Sequence, residues 1–356
     1  MGHRPLLFTP GPTEVRPEIL QAMARPVISH RGAPMEEMVR DIVAKARCIF
    51  MTEGTILLSS SSASGLMEGA VRNCIARRSL HLVGGAFGER WRQIAADCGF
   101  DPGVVQAEPG FAIRPERVEE ALSRGDYDAV CVTHNETSTG VTHPLEAIAR
   151  VVRARPGVLL MVDAVSSLGG IPVEVDRLGI DVCFASVQKA LALPPGFALG
   201  AVSEAALERA RARKGRGYYF DFIRLAEASA KGMPLATPSV SHLFALQAQF
   251  DHILAEGLPR RFARHAAMGE RVRRWAREKF AVLAEPGFES DTVTCVANSR
   301  KIRVASFLES LKSRGYQISN GYGTLKEATF RIGHLGEHTL EGVEGLLAAM
   351  DEVLSG

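Results

Sequence analysis

The chain has 356 residues, 46% of them hydrophobic and 23% charged, with a formal net charge of +2. That length supports a well-buried core and more than one domain, and the composition excludes a disordered chain. Near-neutrality excludes a global electrostatic footprint for nucleic acid or for a membrane surface, and no apolar run approaches membrane-spanning length.

Read in chain order, Met1-Gly2-His3-Arg4-Pro5 has no apolar signal region, and Leu6 fails the myristoylation pattern. Thr9-Pro10-Gly11-Pro12 forbids regular structure and is expected to cross near a smaller domain. From about residue 55 to 202, apolar runs alternate with helical patterns: 55–59, 80–83, 129–133, 158–163, 181–186 and 198–202. This alternation implies βα units and a mostly parallel sheet covered by helices. After about residue 245 the signal changes. Helical patterns at 241–254 and 260–280 precede a strand-like run at 291–296, a helix at 304–314, a Gly-rich turn at Asn320-Gly321-Tyr322-Gly323, a short strand ending at Arg331-Ile332 and a terminal helix at 340–354. We read these as a smaller α+β domain.

The basic runs at 209–214 and 260–277 read as solvated helix faces. The cysteines at 48, 74, 98, 131, 183 and 295 show no CxxC and no His clustering at metal spacing. Buried free thiols in a reducing, cytoplasmic compartment are expected, with neither a disulfide framework nor a metal site.

In parallel sheets, ligands gather at the carboxyl ends of the strands. Four polar features fall there. Ser59 to Ser64 leads into a helical pattern, whose free amides suit an anion or else serve an over-provided N-cap. His134-Asn135-Glu136-Thr137-Ser138-Thr139-Gly140 is a ligand loop or a turn capped by its own side chains. Asp163 ends the next run, and Lys189 lies three residues past the end of the run after it. Such a pair suits pyridoxal phosphate, the lysine taking the cofactor aldehyde and the aspartate the pyridine nitrogen. Val83 to Gly88 lacks the G-x-G-x-x-G spacing, so a nicotinamide fingerprint is absent.

Taken together, Thr9-Pro10-Gly11-Pro12-Thr13, Ser29-His30-Arg31, Phe87-Gly88-Glu89-Arg90-Trp91, His134 to Gly140, Val162 to Gly170, Ser186-Val187-Gln188-Lys189-Ala190, Pro194-Pro195-Gly196 and Arg331 to Gly336 resemble a known family. It is the class V, fold-type I aminotransferases, in the alanine/serine–glyoxylate (serine–pyruvate) branch. The resemblance implies an α/β fold with a mostly parallel sheet flanked by helices. It places an N-terminal crossing segment at 1–15, a large cofactor-binding domain at 16–245 and a small C-terminal domain at 246–356.

It also implies roles. Lys189 resembles the Schiff-base lysine and proton shuttle, and Asp163 the partner of the pyridine nitrogen. Ser62, Ala63 and Ser64 match the phosphate turn, although relatives often carry Gly and His at the last two positions. Ser186 and Gln188 join the cofactor site, Gln188 toward the phosphate. Thr137 matches the partner of the phenolic oxygen, Val165 the residue beneath the ring and Phe87 the aromatic above it. Thr237 resembles a residue that reaches the phosphate of a neighbouring subunit's cofactor, while Pro234 stands where some relatives have tyrosine. Arg331 resembles the clamp for the substrate α-carboxylate. His30 and Arg31 resemble a pair contributed across a homodimer interface.

The resulting expectation is a homodimeric pyridoxal 5'-phosphate aminotransferase that pairs alanine or serine with glyoxylate or pyruvate. Phosphoserine and 2-aminoethylphosphonate aminotransferases are the alternatives, with Ser29-His30-Arg31 reading the phosphate or phosphonate. A cysteine desulfurase needs a loop cysteine ahead of the carboxylate arginine, and residues 299–331 contain none. A non-catalytic cofactor-binding protein would need an appended DNA-binding module, for which this length leaves no room.

Overall fold

Runs rich in Val, Leu and Ile between residues 55 and 202 pair as a seven-stranded sheet, in a computed structural model that describes residues 4–355. In spatial order the strands are Thr55–Ser59, Ala198–Val202, Val182–Ser186, Leu159–Asp163, Ala129–Thr133, Ser79–Val83 and Gly103–Gln106. The last five run parallel. Ala198–Val202 is antiparallel to both neighbours. Only residues 187–197 separate it from the preceding strand, too few for the crossover that a parallel return needs.

Alternate strand residues feed two cores. Val130, Val132, Leu160 and Val162 face one, with Met35, Val39, Ile42 and Ile49 of the helix Ala33–Phe50. Cys131, Met161 and Phe184 face the other, with Leu66 and Met67 of the helix Ala63–Cys74 and Trp91 of the helix Ala86–Asp97. Both faces are therefore buried, which explains why the strands are near-continuous apolar runs rather than alternating ones. Strand order reverses between Ser79–Val83 and Ala129–Thr133, making a switch point whose crevice opens at their carboxyl ends.

A second sheet is antiparallel, in the order Ala281–Val282, Val293–Ala297, Thr329–Gly333, Ser319–Asn320. Its core joins Val296, Phe330 and Ile332 to Met268, Val272 and Trp275 of the helix Leu258–Lys279, and to Leu346 of the helix Leu340–Ser355. The preceding helix, Val240–Glu256, instead puts Leu243, Phe244, Phe250 and Ile253 into the large-sheet core. Leu258 still packs on that core, and the small-sheet core begins on the next helix at Met268, beyond the expected division at 245/246. Periodicity at 241–254 reveals an apolar stripe but not which sheet receives it.

Leu6–Leu7 pairs in parallel with Tyr316–Gln317, and Phe8 enters the small-sheet core. The Gly333 amide donates to the Phe8 carbonyl at 2.7 Å, and a Cβ on Gly333 would sit 2.2 Å from the Thr9 carbonyl oxygen. Residues 1–3 of the expected N-terminal segment lie outside the described residues.

One expectation needs correction. The basic helix is not simply a solvated face, because Arg261 and Arg273 are buried. Arg261 donates to the carbonyls of Gly169 and Ala190 at 2.9 and 2.6 Å and pairs with Glu256 and Glu337. Arg273 donates to the Ser290 carbonyl at 2.7 Å. The Arg261 guanidinium ties the helix to the loop that carries Lys189, a use that a charge count does not reveal. All six cysteines are free, and Cys48 is exposed rather than buried.

Candidate active site

The carboxyl ends of the parallel strands border a cavity of about 230 Å³. Its wall gathers Ser62, Ala63, Ser64, Phe87, Thr137, Asp163, Val165, Ser186, Gln188 and Lys189, ten residues expected at the site from sequence. Five separate loops supply them, and they meet because their strands stand side by side.

Ser62 ends an extended stretch, and the helix Ala63–Cys74 starts after it with no side-chain cap. The serine run is thus not an N-cap in use, and the first amides of the helix are free for an anion. Serine hydroxyls just upstream bond elsewhere: Ser59 with Ser61 at 2.8 Å, and Ser60 with the Ser239 amide at 3.1 Å. The Ser186 hydroxyl donates to Gln188 Oε1 at 2.7 Å, which leaves the Gln188 amide nitrogen with its donors.

Asp163 is buried at its strand end. Its carboxylate accepts the Val165 amide at 2.9 Å and the Thr133 hydroxyl at 3.4 Å. Burial pushes its pKa up to about 7, while Lys189 pulls the other way. Lys189 is also buried, and its Nζ donates to the Pro10 carbonyl. Burial lowers its pKa to about 8, and the positive charge of Arg331 adds to that. Among the described residues neither group forms an ion pair within 4.0 Å. A buried carboxylate without a cation and a buried amine without an acid suit a ligand that supplies both complements.

The 134–140 loop divides its labour. Asn135 is spent internally, donating to the Ser166 carbonyl and the Thr292 hydroxyl at 2.8 and 2.7 Å. Glu136, fully buried, accepts the Phe87 and Gly88 amides at 3.0 and 3.1 Å and the Ser138 amide at 3.1 Å. It anchors the start of the helix Ala86–Asp97 and so places the Phe87 ring, 6.0 Å from Lys189 Nζ. Thr137 faces the cavity and shares a hydrogen bond with Ser166. Sequence reading treated this loop as one polar cluster and missed the work of Glu136.

Arg331 lies on the small-sheet strand Thr329–Gly333, just outside the cavity wall. Its guanidinium donates to the carbonyls of Asn320 and Thr137 at 3.1 and 3.5 Å and sits 5.3 Å from the Tyr322 ring centroid. No carboxylate among the described residues pairs with it, so the alternative of a structural ion pair is not realised. Two further residues, which the sequence shows only inside a motif and a turn, belong to the site: Arg90, in the cavity wall, and Tyr322, which contacts both arginines.

Three expected residues are not brought to this cavity. Thr237 is exposed and borders a separate apolar pocket with Pro234, Tyr219 and Phe197. His30 and Arg31 occupy a turn before the helix Ala33–Phe50, with Arg31 exposed.

The sequence model for aminotransferase class V matches residues 86–332. The chain is 36% identical to an uncharacterized aminotransferase of Methanocaldococcus jannaschii, over 93% of this chain and 88% of the relative. It is 32% identical to the serine–glyoxylate aminotransferase of Methylorubrum extorquens, over 97% of this chain and 90% of the relative. Among solved structures, the alanine–glyoxylate aminotransferase of a Nostoc species superposes with a TM-score of 0.94 at 27% identity, covering 99% of this chain and 95% of that one.

Proposed function

The chain belongs to the class V aminotransferases, and we propose that it transfers the amino group of a small α-amino acid, alanine or serine, to glyoxylate or pyruvate. The observation that carries this reading is the pairing of Lys189 and Asp163 in one cavity, both buried and neither neutralised by an ion pair.

The cofactor this implies is pyridoxal 5'-phosphate, which when bound draws electrons from the substrate Cα through its protonated ring. The donor set fits it. The uncapped amides at Ala63 and Ser64, with Ser62 and Gln188, suit the phosphate. Asp163 offers its carboxylate to the ring nitrogen, and that positive partner holds it ionised at neutral pH. Thr137, Val165, Phe87 and Ser186 line the same cavity, where Thr137 would meet the phenolic oxygen and Val165 and Phe87 the two faces of the ring.

Lys189 Nζ would hold the cofactor aldehyde and, as a free amine, would accept the proton leaving the substrate Cα. Its lowered pKa leaves a sizeable unprotonated fraction near neutrality, which a general base requires. Arg331 takes the α-carboxylate with its planar fork and so orients the Cα–H bond. The protein works as a homodimer, in which Thr237, His30 and Arg31 reach the partner subunit's site. Pro234 removes one hydroxyl that some relatives place there. The boundary between the large and small domains lies between Leu258 and Met268, where the apolar core changes. Six free thiols fit a reducing cytoplasm.

Half-reaction spectroscopy of the cofactor-loaded protein tests the reading. Alanine or serine should convert the aldehyde-form absorbance to the amine form, and glyoxylate or pyruvate should restore it. No conversion with any amino acid would favour a non-catalytic binding protein. Strong turnover of phosphoserine with 2-oxoglutarate, abolished by Arg31→Ala, would replace the glyoxylate assignment by a phosphoserine one.

A further inference from the structure

Arg90 carries a charge that nothing in the described chain neutralises. It lies on the helix Ala86–Asp97 and lines the same cavity as Lys189 and Asp163. Its neighbour Glu89 is committed to Arg92 at 2.6 Å. Arg90 itself has only neutral contacts: the Phe87 ring, 4.8 Å from its Cζ, and the Tyr322 hydroxyl, which accepts from its Nη2 at 2.9 Å.

Arg331 is in a similar situation on the other sheet, with backbone carbonyls and the same Tyr322 ring for partners. One short turn orders both guanidinium groups. Asn320 supplies the carbonyl that holds Arg331, and Tyr322, two residues on, supplies the hydroxyl that holds Arg90. The turn is tight, since a Cβ on Gly321 would sit 2.0 Å from the Leu325 carbonyl oxygen.

Among the described residues, neither guanidinium therefore has an acidic partner. Asp163 is the acid in the cavity wall, and the function proposed above commits it to the ring nitrogen. Glu136 is spent on three amides and a hydroxyl. One arginine suffices for an α-carboxylate. A second, half-exposed and held by a ring and a hydroxyl without an acid, is available to pair with an anion in the cavity.

We infer that Arg90 is a specificity-determining residue that binds a second anionic group, at the far end of a short donor side chain, while Arg331 binds the α-carboxylate. This inference rests on the transaminase reading. It adds acidic amino donors to the neutral ones, with a side chain ending in carboxylate, as in aspartate or glutamate, or in phosphate, as in phosphoserine. A guanidinium fork reads either anion.

The test compares alanine, aspartate, glutamate and phosphoserine on the cofactor-loaded wild type, Arg90→Gln and Arg90→Lys. Wild type should turn over at least one acidic donor with a kcat/KM no lower than that for alanine. Arg90→Gln should reduce kcat/KM for that donor roughly 100-fold more than for alanine, mainly through KM, with Arg90→Lys between the two. Calorimetry supplies a readout independent of turnover: an unreactive dicarboxylate such as maleate should bind wild type at least tenfold more tightly than it binds Arg90→Gln. Whether aspartate and glutamate or phosphoserine is used identifies the anion.

Turnover of alanine and serine but of no acidic donor would overturn the inference alone. So would an Arg90→Gln variant that loses alanine and acidic donors equally, the result for a residue that only positions Phe87 and Tyr322. Absence of turnover with every donor would overturn the transaminase reading and this inference with it.

Discussion

Glu136→Gln measures what a buried carboxylate does when no cation stands beside it. Its two oxygens accept the Phe87, Gly88 and Ser138 amides and the Ser138 hydroxyl. Glutamine keeps the shape but exchanges one acceptor oxygen for an NH2 group. With the carbonyl turned to Phe87 and Gly88, that NH2 faces Ser138. The hydroxyl there reverses and accepts, but the amide cannot. One buried N–H left unpaired costs about 1–3 kcal/mol. Losing the anion at the start of the helix Ala86–Asp97 adds roughly 0.3–1 kcal/mol. The expected destabilisation is therefore about 1–4 kcal/mol, read as a lower urea midpoint at unchanged slope. Because the same carboxylate holds Phe87 in place, pyridoxal phosphate titrated into the variant should bind several-fold more weakly. A midpoint loss below about 0.5 kcal/mol, with unchanged cofactor affinity, would refute the claim that Glu136 anchors the site.

Four further outcomes follow from the same geometry. In the cofactor-free protein, the rate at which Lys189 captures pyridoxal phosphate should rise with pH, pass half of its maximum near pH 8 and level off about one unit above that. Its pKa is about 8 instead of 10.5, so the neutral amine is already present there; a rate still climbing past pH 10 would contradict this. Lys189→Ala should hold the cofactor weakly and show no transamination. For Asp163 the sign runs the other way. Its folded pKa, raised to about 7 by burial, means that stability falls as pH rises from about 4 through 7. Cofactor-free Asp163→Asn should therefore match wild type near pH 4 and exceed it by a few kcal/mol at pH 8, while the loaded variant loses transamination; equal melting curves at pH 8 would rule this out. Arg331→Gln should lower kcat/KM for alanine and for acidic donors alike, by about 100-fold, with the cofactor spectrum unchanged. A selective loss of one donor class would reassign Arg331.

Much of the site was legible because its residues follow strands. Asp163 and Lys189 end or follow buried β-branched runs, and a parallel sheet puts such ends on one edge whatever the loops contain. The same logic brought Ser62 to Ser64 and Thr137 into the cavity. Residues whose work depends on a partner from elsewhere were harder to read. Arg261 looked like one more charge on a basic helix, yet it is buried against the carbonyls of Gly169 and Ala190. The helix Val240–Glu256 showed its apolar stripe but not which core that stripe enters. Glu136 was hidden because its value lies in three amide donors, two of them on another helix.

What the sequence determined alone was the alternation of elements, and with it a sheet whose carboxyl edge must collect Ser62, Thr137, Asp163 and Lys189. That follows from local periodicity, a property of neighbouring residues. Tertiary structure alone decided that Arg90, on a helix beside the large sheet, and Arg331, on a strand of the small one, meet the same tyrosine. Their relation is set by how two separately packed cores abut across the crevice, and no spacing along the chain encodes that distance.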